Sequence, residues 1–215
     1  ESSAASDVYK RQVHTNATHL TDTNIAALLN EATVPQVIHF SLDATDRDRY
    51  LAIKGRDRFD LVVGNIKRFL AEKSRLGAPW PRPVFQFIVG SNNVDQVASF
   101  RREWVQACTD AGIPVRVAAG HVPSGDDAVI FFRQLDCPTA EMQQRENAVF
   151  QEAMAAQGLT VPAPVALSVV DSTENAAVCA GFWKSPVVGW DGTVTTCTRD
   201  AHMHNRVGRL SEARF

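Results

Sequence analysis

Two cysteines flank the stretch of this chain best suited to hold a metal. Cys179 and Cys197 are separated by 17 residues, in the spacing Cys-x12-Gly-x4-Cys. Between them lies Trp190-Asp191-Gly192-Thr193, an Asp-Gly turn signal. It follows Val187 and Val188 and precedes Val194, Thr195 and Thr196. β-Branched runs on both sides of such a turn predict a strand-turn-strand hairpin. A hairpin returns the chain to where it started, so it can carry both thiols to one point, and two converging thiolates begin a zinc or iron-sulfur site. The other reading is that these cysteines are small buried hydrophobes. That reading is given outright to Cys108, on a helical pattern, and to Cys137, ahead of Pro138 at a helix start. Zinc would recruit His202 and His204, but a single residue lies between them. Structural zinc sites place about three to five residues between paired histidines, so zinc is the weaker metal option.

A second constellation is made of small polar residues where predicted strands end: Asn16, Ser41, Asp43 and the Ser91-Asn92-Asn93 loop. Ligands of parallel α/β folds gather at the carboxyl ends of the strands. Gln86 alternates with Phe85 and Phe87 and so faces away from both, into the interior if the sheet closes. Each residue also has a local reading. Asn16 and Asn92 suit turns or caps, and Ser41 and Asp43 suit a strand-end turn.

The elements that must position these residues follow from the hydrophobic pattern. Val13 to Asn16 is a strand candidate, and Thr21 or Thr23 can cap a helix whose apolar face is Ile25, Leu28 and Leu29. Val37 to Leu42 reads as a buried strand, and Thr45 to Arg49 as a charged solvated loop. Phe59, Val62, Val63, Ile66, Phe69 and Leu70 recur at helical spacing. After a Pro-rich connector, Val84 to Val89 is the third strand, and Asn92 or Asn93 is placed to cap the next helix, which carries Phe100, Trp104, Val105 and Cys108 and stops at Gly112. Ile113 to Val117 is a fourth strand, Ala128 to Leu135 is apolar with ambiguous period, and Pro138 to Gln157 is a helix closed by Gly158. Val161 to Val170, broken by Pro162 and Pro164, reads as an edge strand. Alternating strand and helix with connections too long for hairpins predict βα units and a parallel sheet. Gly-rich dinucleotide fingerprints and phosphate-cradling loops are absent, which favours a barrel or partial barrel over an open nucleotide-binding sheet.

Composition excludes other classes. The chain has 215 residues, 45% hydrophobic and 21% charged, with a net charge of −2. That is an ordinary globular balance with no nucleic-acid footprint. No apolar run approaches the ~20 residues of a membrane-spanning helix. Four widely spaced cysteines and no signal peptide point to a reducing cytoplasm.

Taken together, these motifs resemble a radical S-adenosylmethionine (SAM) enzyme with a C-terminal SPASM domain. The Cys179 to Cys197 spacing is similar to the first ligands of SPASM domains. The family's Thr-Asn-Gly-like turn stands here as Thr15-Asn16-Ala17, and its Ser-(Leu/Ile)-Asp strand end as Ser41-Leu42-Asp43. Its Tyr...Ile-(Arg/Lys)-Gly segment is matched by Tyr50...Ile53-Lys54-Gly55, and its Phe...Val...Asn-Ile helix by Phe59...Val63-Gly64-Asn65-Ile66. Gln86 with Asn92-Asn93, and Asp200...Val207-Gly208-Arg209-Leu210, follow the family's later motifs. The likeness covers roughly residues 13–215, and the order of the motifs makes it specific.

The resemblance implies an α/β fold: a partial parallel (β/α) barrel over residues 13–170, followed over residues 171–215 by a small β-hairpin extension that binds a cluster. Residues 1–12 are set aside as a non-native leader. It implies SAM held by Asn16, Ser41, Asp43, Gln86 and Asn93, and an auxiliary [4Fe–4S] cluster partly ligated by Cys179 and Cys197. Small polar groups at strand ends suit the ribose hydroxyls and amino-acid head of SAM. The parent enzyme would cleave SAM reductively and take a hydrogen from substrate through the 5′-deoxyadenosyl radical. Its partners would be a peptide or protein substrate and an electron donor such as a flavodoxin or ferredoxin, with no nucleic acid and no membrane. The Cys-x3-Cys-x2-Cys loop of the SAM cluster is missing from this chain, so the fragment alone is expected to be inactive.

Overall fold

The computed structural model describes residues 12–31, 36–137, 139–161, 187–189, 191–196 and 203–212. The chain divides into two compact units, residues 1–162 and 163–215.

The first unit is built on five parallel strands: β1 (Gln12–Thr15), β2 (Val37–Ser41), β3 (Arg82–Val89), β4 (Val115–Ala119) and β5 (Ala128–Gln134), in the order β1-β2-β3-β5-β4. Its helices are α1 (Asp22–Glu31), α2 (Arg47–Lys54), α3 (Phe59–Leu76), α4 (Val97–Asp110) and α5 (Ala140–Ala156). Period-two alternation sorts the strand residues. Ile38, Phe40, Phe85, Phe87, Val89, Ile130 and Phe132 point to one face, where all five helices add side chains to a single core that includes Ile25, Tyr50, Ile66, Phe100, Trp104 and Phe150. A one-sided helix layer on a parallel sheet matches the predicted βα units. Among the described residues the sheet has two edges, β1 and β4, and does not close into a barrel.

The strand order departs from a sequential barrel because β5 inserts between β3 and β4. The segment of ambiguous period is thus a central strand, buried on both faces, which is why it shows no alternation. Only residues 120–127 join β4 to β5, with no helix between them. Reversing direction along the sheet while keeping the crossover right-handed requires that link to pass over the face away from the helices. Val122 packs there, against Val84, Val129 and Phe131. Arg82 fastens the link by donating to the carbonyls of Asp127 (2.6 Å) and Pro123 (2.8 Å). Arg116 donates to the Ser124 carbonyl and pairs with Asp127 at 2.9 Å.

Most predicted helix limits stand. Thr21 Oγ1 accepts from Asn24 N (3.3 Å), and Thr139 Oγ1 accepts from Met142 N (3.2 Å) at the start of α5. The charged segment expected to be a loop is instead the start of α2. Asp46 caps it by accepting from Arg49 N at 2.8 Å, and Gly55 ends it at φ 69°. Its few apolar residues hide the helix, because only Tyr50 reaches the core. Neither Asn92 nor Asn93 caps α4, which is entered through a 3-10 turn, Val94–Gln96, with no side-chain cap. Gln12, set aside with the leader, is the first residue of β1 and pairs with Val37.

In the second unit, β6 (Val187–Val188), β7 (Thr193–Thr195) and β8 (Arg206–Arg209) form an antiparallel sheet. The predicted hairpin is the β6–β7 pair, with Val188 opposite Val194. Gly192 takes φ 81° in its turn, and the Asp191 carboxylate accepts from Thr193 N (3.0 Å) and Oγ1 (2.7 Å), which holds its pKa below the usual carboxylate value. Cys179, Cys197, Trp183, Trp190, Asp200 and His202 lie outside the described residues, as does the predicted edge strand beyond Val161.

Phe87 is fully buried between Phe100 (4.7 Å between ring centroids) and Phe132 (6.0 Å). Phe87→Ala is expected to lower urea stability by about 3–5 kcal/mol, whereas Leu76→Ala, on the exposed end of α3, should change it by about 0.5 kcal/mol or less.

Candidate functional site at the carboxyl edge of the sheet

The β2–β3 ladder ends in a side chain. Leu42 N donates to the Gln86 carbonyl at 3.3 Å, the last main-chain rung. Asp43 then turns the chain at φ 61°, a left-handed conformation that Asp and Asn tolerate better than other side-chain-bearing residues. Its Oδ1 accepts from Ile88 N at 2.7 Å, so the carboxylate fills the place of the next main-chain acceptor. Its Oδ2 accepts from Lys54 Nζ at 2.5 Å, tying the end of α2 to the same point. Burial and the Asp43 charge together raise the Tyr50 pKa.

Asn93 completes this bracket. Its amide nitrogen donates to the carbonyls of Asp43 and Ile88, both at 3.0 Å, and its oxygen accepts from Gly90 N at 2.9 Å. The side chain is only 2% exposed, and both amide donors are used internally. The same loop is held to α5 by Glu146, which accepts from Ser91 N (2.8 Å) and Ser91 Oγ (2.9 Å). Those bonds, led by the Ser91 N–H, hold the Glu146 carboxyl below its usual pKa. Glu146 was not picked out from the sequence, yet a signal exists. It sits four residues before Phe150 and seven before Ala153, on the buried stripe of α5, where a carboxylate needs a partner.

Ser41 and Gln86 differ from this pair. They are register partners across β2 and β3, on the face away from the helices. Ser41 is half-buried and Gln86 is 6% exposed, and neither side chain makes a hydrogen bond. Neither belongs to the buried polar atoms left without a partner, so both side chains keep contact with solvent and are available to a bound polar ligand. Asn16 sits just past β1 as an exposed turn residue, its Oδ1 accepting from Thr18 N at 3.0 Å. The structure therefore joins Asp43 to Asn93 and sets Ser41 beside Gln86, with Asn16 at the neighbouring strand end. Among the described residues, no group of three or more His, Cys, Asp or Glu could hold a metal ion. No helix among them is long and apolar enough to cross a membrane.

Farther along the same face, His14 and His39 stack across β1 and β2 with ring centroids 4.2 Å apart. Burial first, then the neighbouring charges of His14 and Arg82, push the His39 pKa down to about 4. Burial and Arg133 lower that of His14.

No family model matches the sequence, and no curated protein matches it. Among solved structures, the fold is similar to SuiB from Streptococcus suis bound to S-adenosylmethionine, with a TM-score of 0.45 and 11% identity over 87% of this chain and 42% of that chain. A second SuiB structure gives a TM-score of 0.44 and 10% identity, covering 87% of this chain and 43% of that one. The chain thus spans less than half the length of these structures.

Two measurements check the site's architecture. Asp43→Ala removes the Ile88 acceptor, the Lys54 partner and the tolerance for a left-handed backbone. It should cost about 2–4 kcal/mol in urea unfolding, while Asp43→Asn, which keeps the acceptor and the turn, should cost about half as much. For His39 the folded state holds the proton less tightly than the unfolded chain. Its contribution is therefore intact above the ordinary histidine value of 6.5 and is lost as pH falls towards about 4. Stability should drop across that window by up to ~1.4 kcal/mol per pH unit, and His39→Phe should flatten the slope.

Proposed function

We propose that this chain is part of a radical SAM enzyme, with SAM bound at the carboxyl edge of the parallel sheet. The observation that carries the reading is the Ser41–Gln86 pair: two unused polar side chains side by side in register, next to a bracket that fixes the strand ends. Their chemistry fits the ligand. A hydroxyl and a primary amide together supply donors and acceptors for ribose hydroxyls and an amino-acid head. Asp43 and Asn93, whose polar groups are spent within the protein, position the site, and Asn16 offers its free amide nitrogen from the next strand end. SAM, when bound at a reducing cluster, supplies hydrogen abstraction. The protein's own share is to hold the ligand and exclude water.

An auxiliary [4Fe–4S] cluster at Cys179 and Cys197 belongs to the same proposal and rests on their spacing. So do a peptide or protein substrate, an electron donor of the flavodoxin or ferredoxin type, and a cytoplasmic location.

SAM binding by equilibrium dialysis or calorimetry tests the core of the reading. Ser41→Ala with Gln86→Ala should weaken it about tenfold or more in a chain that still folds, since each substitution removes an unpartnered group. Absence of SAM binding, or binding that ignores both substitutions, overturns it. Anaerobic reconstitution with iron and sulfide tests the second site. Iron with sulfide charge-transfer absorption, lost in Cys179→Ser or Cys197→Ser, supports the cluster. Stoichiometric zinc would instead indicate a zinc module, and no metal would make the cysteines core residues. Occupancy should be incomplete, because a cubane cluster takes about four ligands.

A further inference from the structure

A cleft of about 670 Å³ opens at the carboxyl ends of β1 and β2. Its polar lining comes from Asn16, Thr18, His19, Tyr50, Lys54, Arg56 and Arg58, and no carboxylate lines it. Lys54 is committed to Asp43. Arg56 and Arg58 are exposed, and neither guanidinium has an ion pair or hydrogen bond. The acid between them, Asp57, is drawn away by an ion pair with Arg47. That pair raises the Arg47 pKa, chiefly through the Asp57 hydrogen bond. The backbone makes this separation possible. Gly55 closes α2 in the left-handed conformation, and of the three residues that follow, Arg56 and Arg58 line the cleft while Asp57 does not. Two unneutralised guanidinium groups therefore share a concave surface with neutral hydrogen-bond donors, on a chain whose net charge is −2.

We propose that this cleft is a binding site for an anionic ligand presenting two or more carboxylate or phosphate oxygens, clamped between Arg56 and Arg58. Guanidinium groups bind such oxygens bidentately, and a concave wall raises the local field above that of an open surface. The Asn16 amide nitrogen and the Thr18 hydroxyl add uncharged donors. The Arg47–Asp57 ion pair has a definite part in this: it engages the acid that lies between the two arginines in sequence. Asn16 is shared with the proposed SAM site, but neither Ser41 nor Gln86 lines the cleft, so substitutions at those two residues and at Arg56 with Arg58 separate the two readings.

The test is titration of the full chain, followed by NMR of arginine Nε–Hε groups and by calorimetry, in separate arms with inorganic phosphate, citrate and a short peptide rich in Asp and Glu. Binding in the phosphate and citrate arms alone identifies a small-molecule anion site. Binding in the peptide arm that is tighter than in the citrate arm identifies an acidic segment of a macromolecule. In either case Arg56→Ala with Arg58→Ala should weaken binding about tenfold or more, and raising salt should weaken it further. Both residues are exposed, so the double variant should unfold at the same urea concentration as the parent. Arg47→Ala should also weaken binding, by releasing Asp57, although Arg47 does not line the cleft. No binding in any arm, or binding unchanged in the double variant, overturns the proposal.

Discussion

The Asp43 carboxylate sits where the β2 main chain can no longer serve β3. A parallel ladder must end somewhere, and the first donor beyond the end is left without a strand partner. Here that donor is Ile88 N, and Asp43 Oδ1 meets it at 2.7 Å. The cost of the substitution is a left-handed turn, which frees the main-chain carbonyl of Asp43 to accept from Asn93. One residue thereby fixes the end of β2, the end of β3, the loop after β3 and, through Lys54, the end of α2. Asn93 and Lys54 take their positions from that arrangement.

The two faces of the sheet divide the remaining work. Aromatic side chains fill the helix face, and Phe40, Phe85, Phe87, Phe100, Trp104 and Phe132 contact one another in a continuous run. Apolar burial of that size makes the sheet rigid. The other face carries His14, His39, Ser41, Arg82 and Gln86 in register rows, a set of side chains that a purely structural layer would not select. The β4–β5 link crosses that face because the handedness rule leaves it no other route, and Arg82 and Arg116 are used to tie it down.

Much of this was legible in the sequence, and the reasons are local. The long helices α3 and α5 and the strands β2 and β3 carry unambiguous periods, and the Asp-Gly turn announced the β6–β7 hairpin. Strand order was not legible, because nothing in the composition of β5 distinguishes a central strand from a buried helix segment. Helix α2 was hidden for the opposite reason: its charged residues satisfy capping and surface pairing, and only Tyr50 gives it an apolar anchor. At the site, strand-end position was readable for Asn16, Ser41, Asp43 and Asn93. What the pattern did not carry was the distinction between polar groups spent on the backbone and polar groups left over, since that depends on contacts between residues about 50 positions apart, such as Asn93 with Asp43.

That distinction is the physical basis for assigning roles. A buried side chain whose donors and acceptors are all met within the protein cannot recognise a ligand without breaking a bond it already has. Asn93 is in that state, and its removal would be felt first as a loosened loop. Gln86 is in the other state: nearly as buried, set in a rigid strand, and without a partner. Selection for stability alone would favour an apolar residue there, as at its neighbours Val84 and Phe131 on the same face. A polar residue at such a position, beside Ser41 and within one residue of the end of the β2–β3 main-chain ladder, is what the proposed ligand would use to complete its hydrogen bonds. The bracket of Asp43 and Asn93 would present that ligand with a fixed geometry, because it ties the loop after β3 to the ends of both strands.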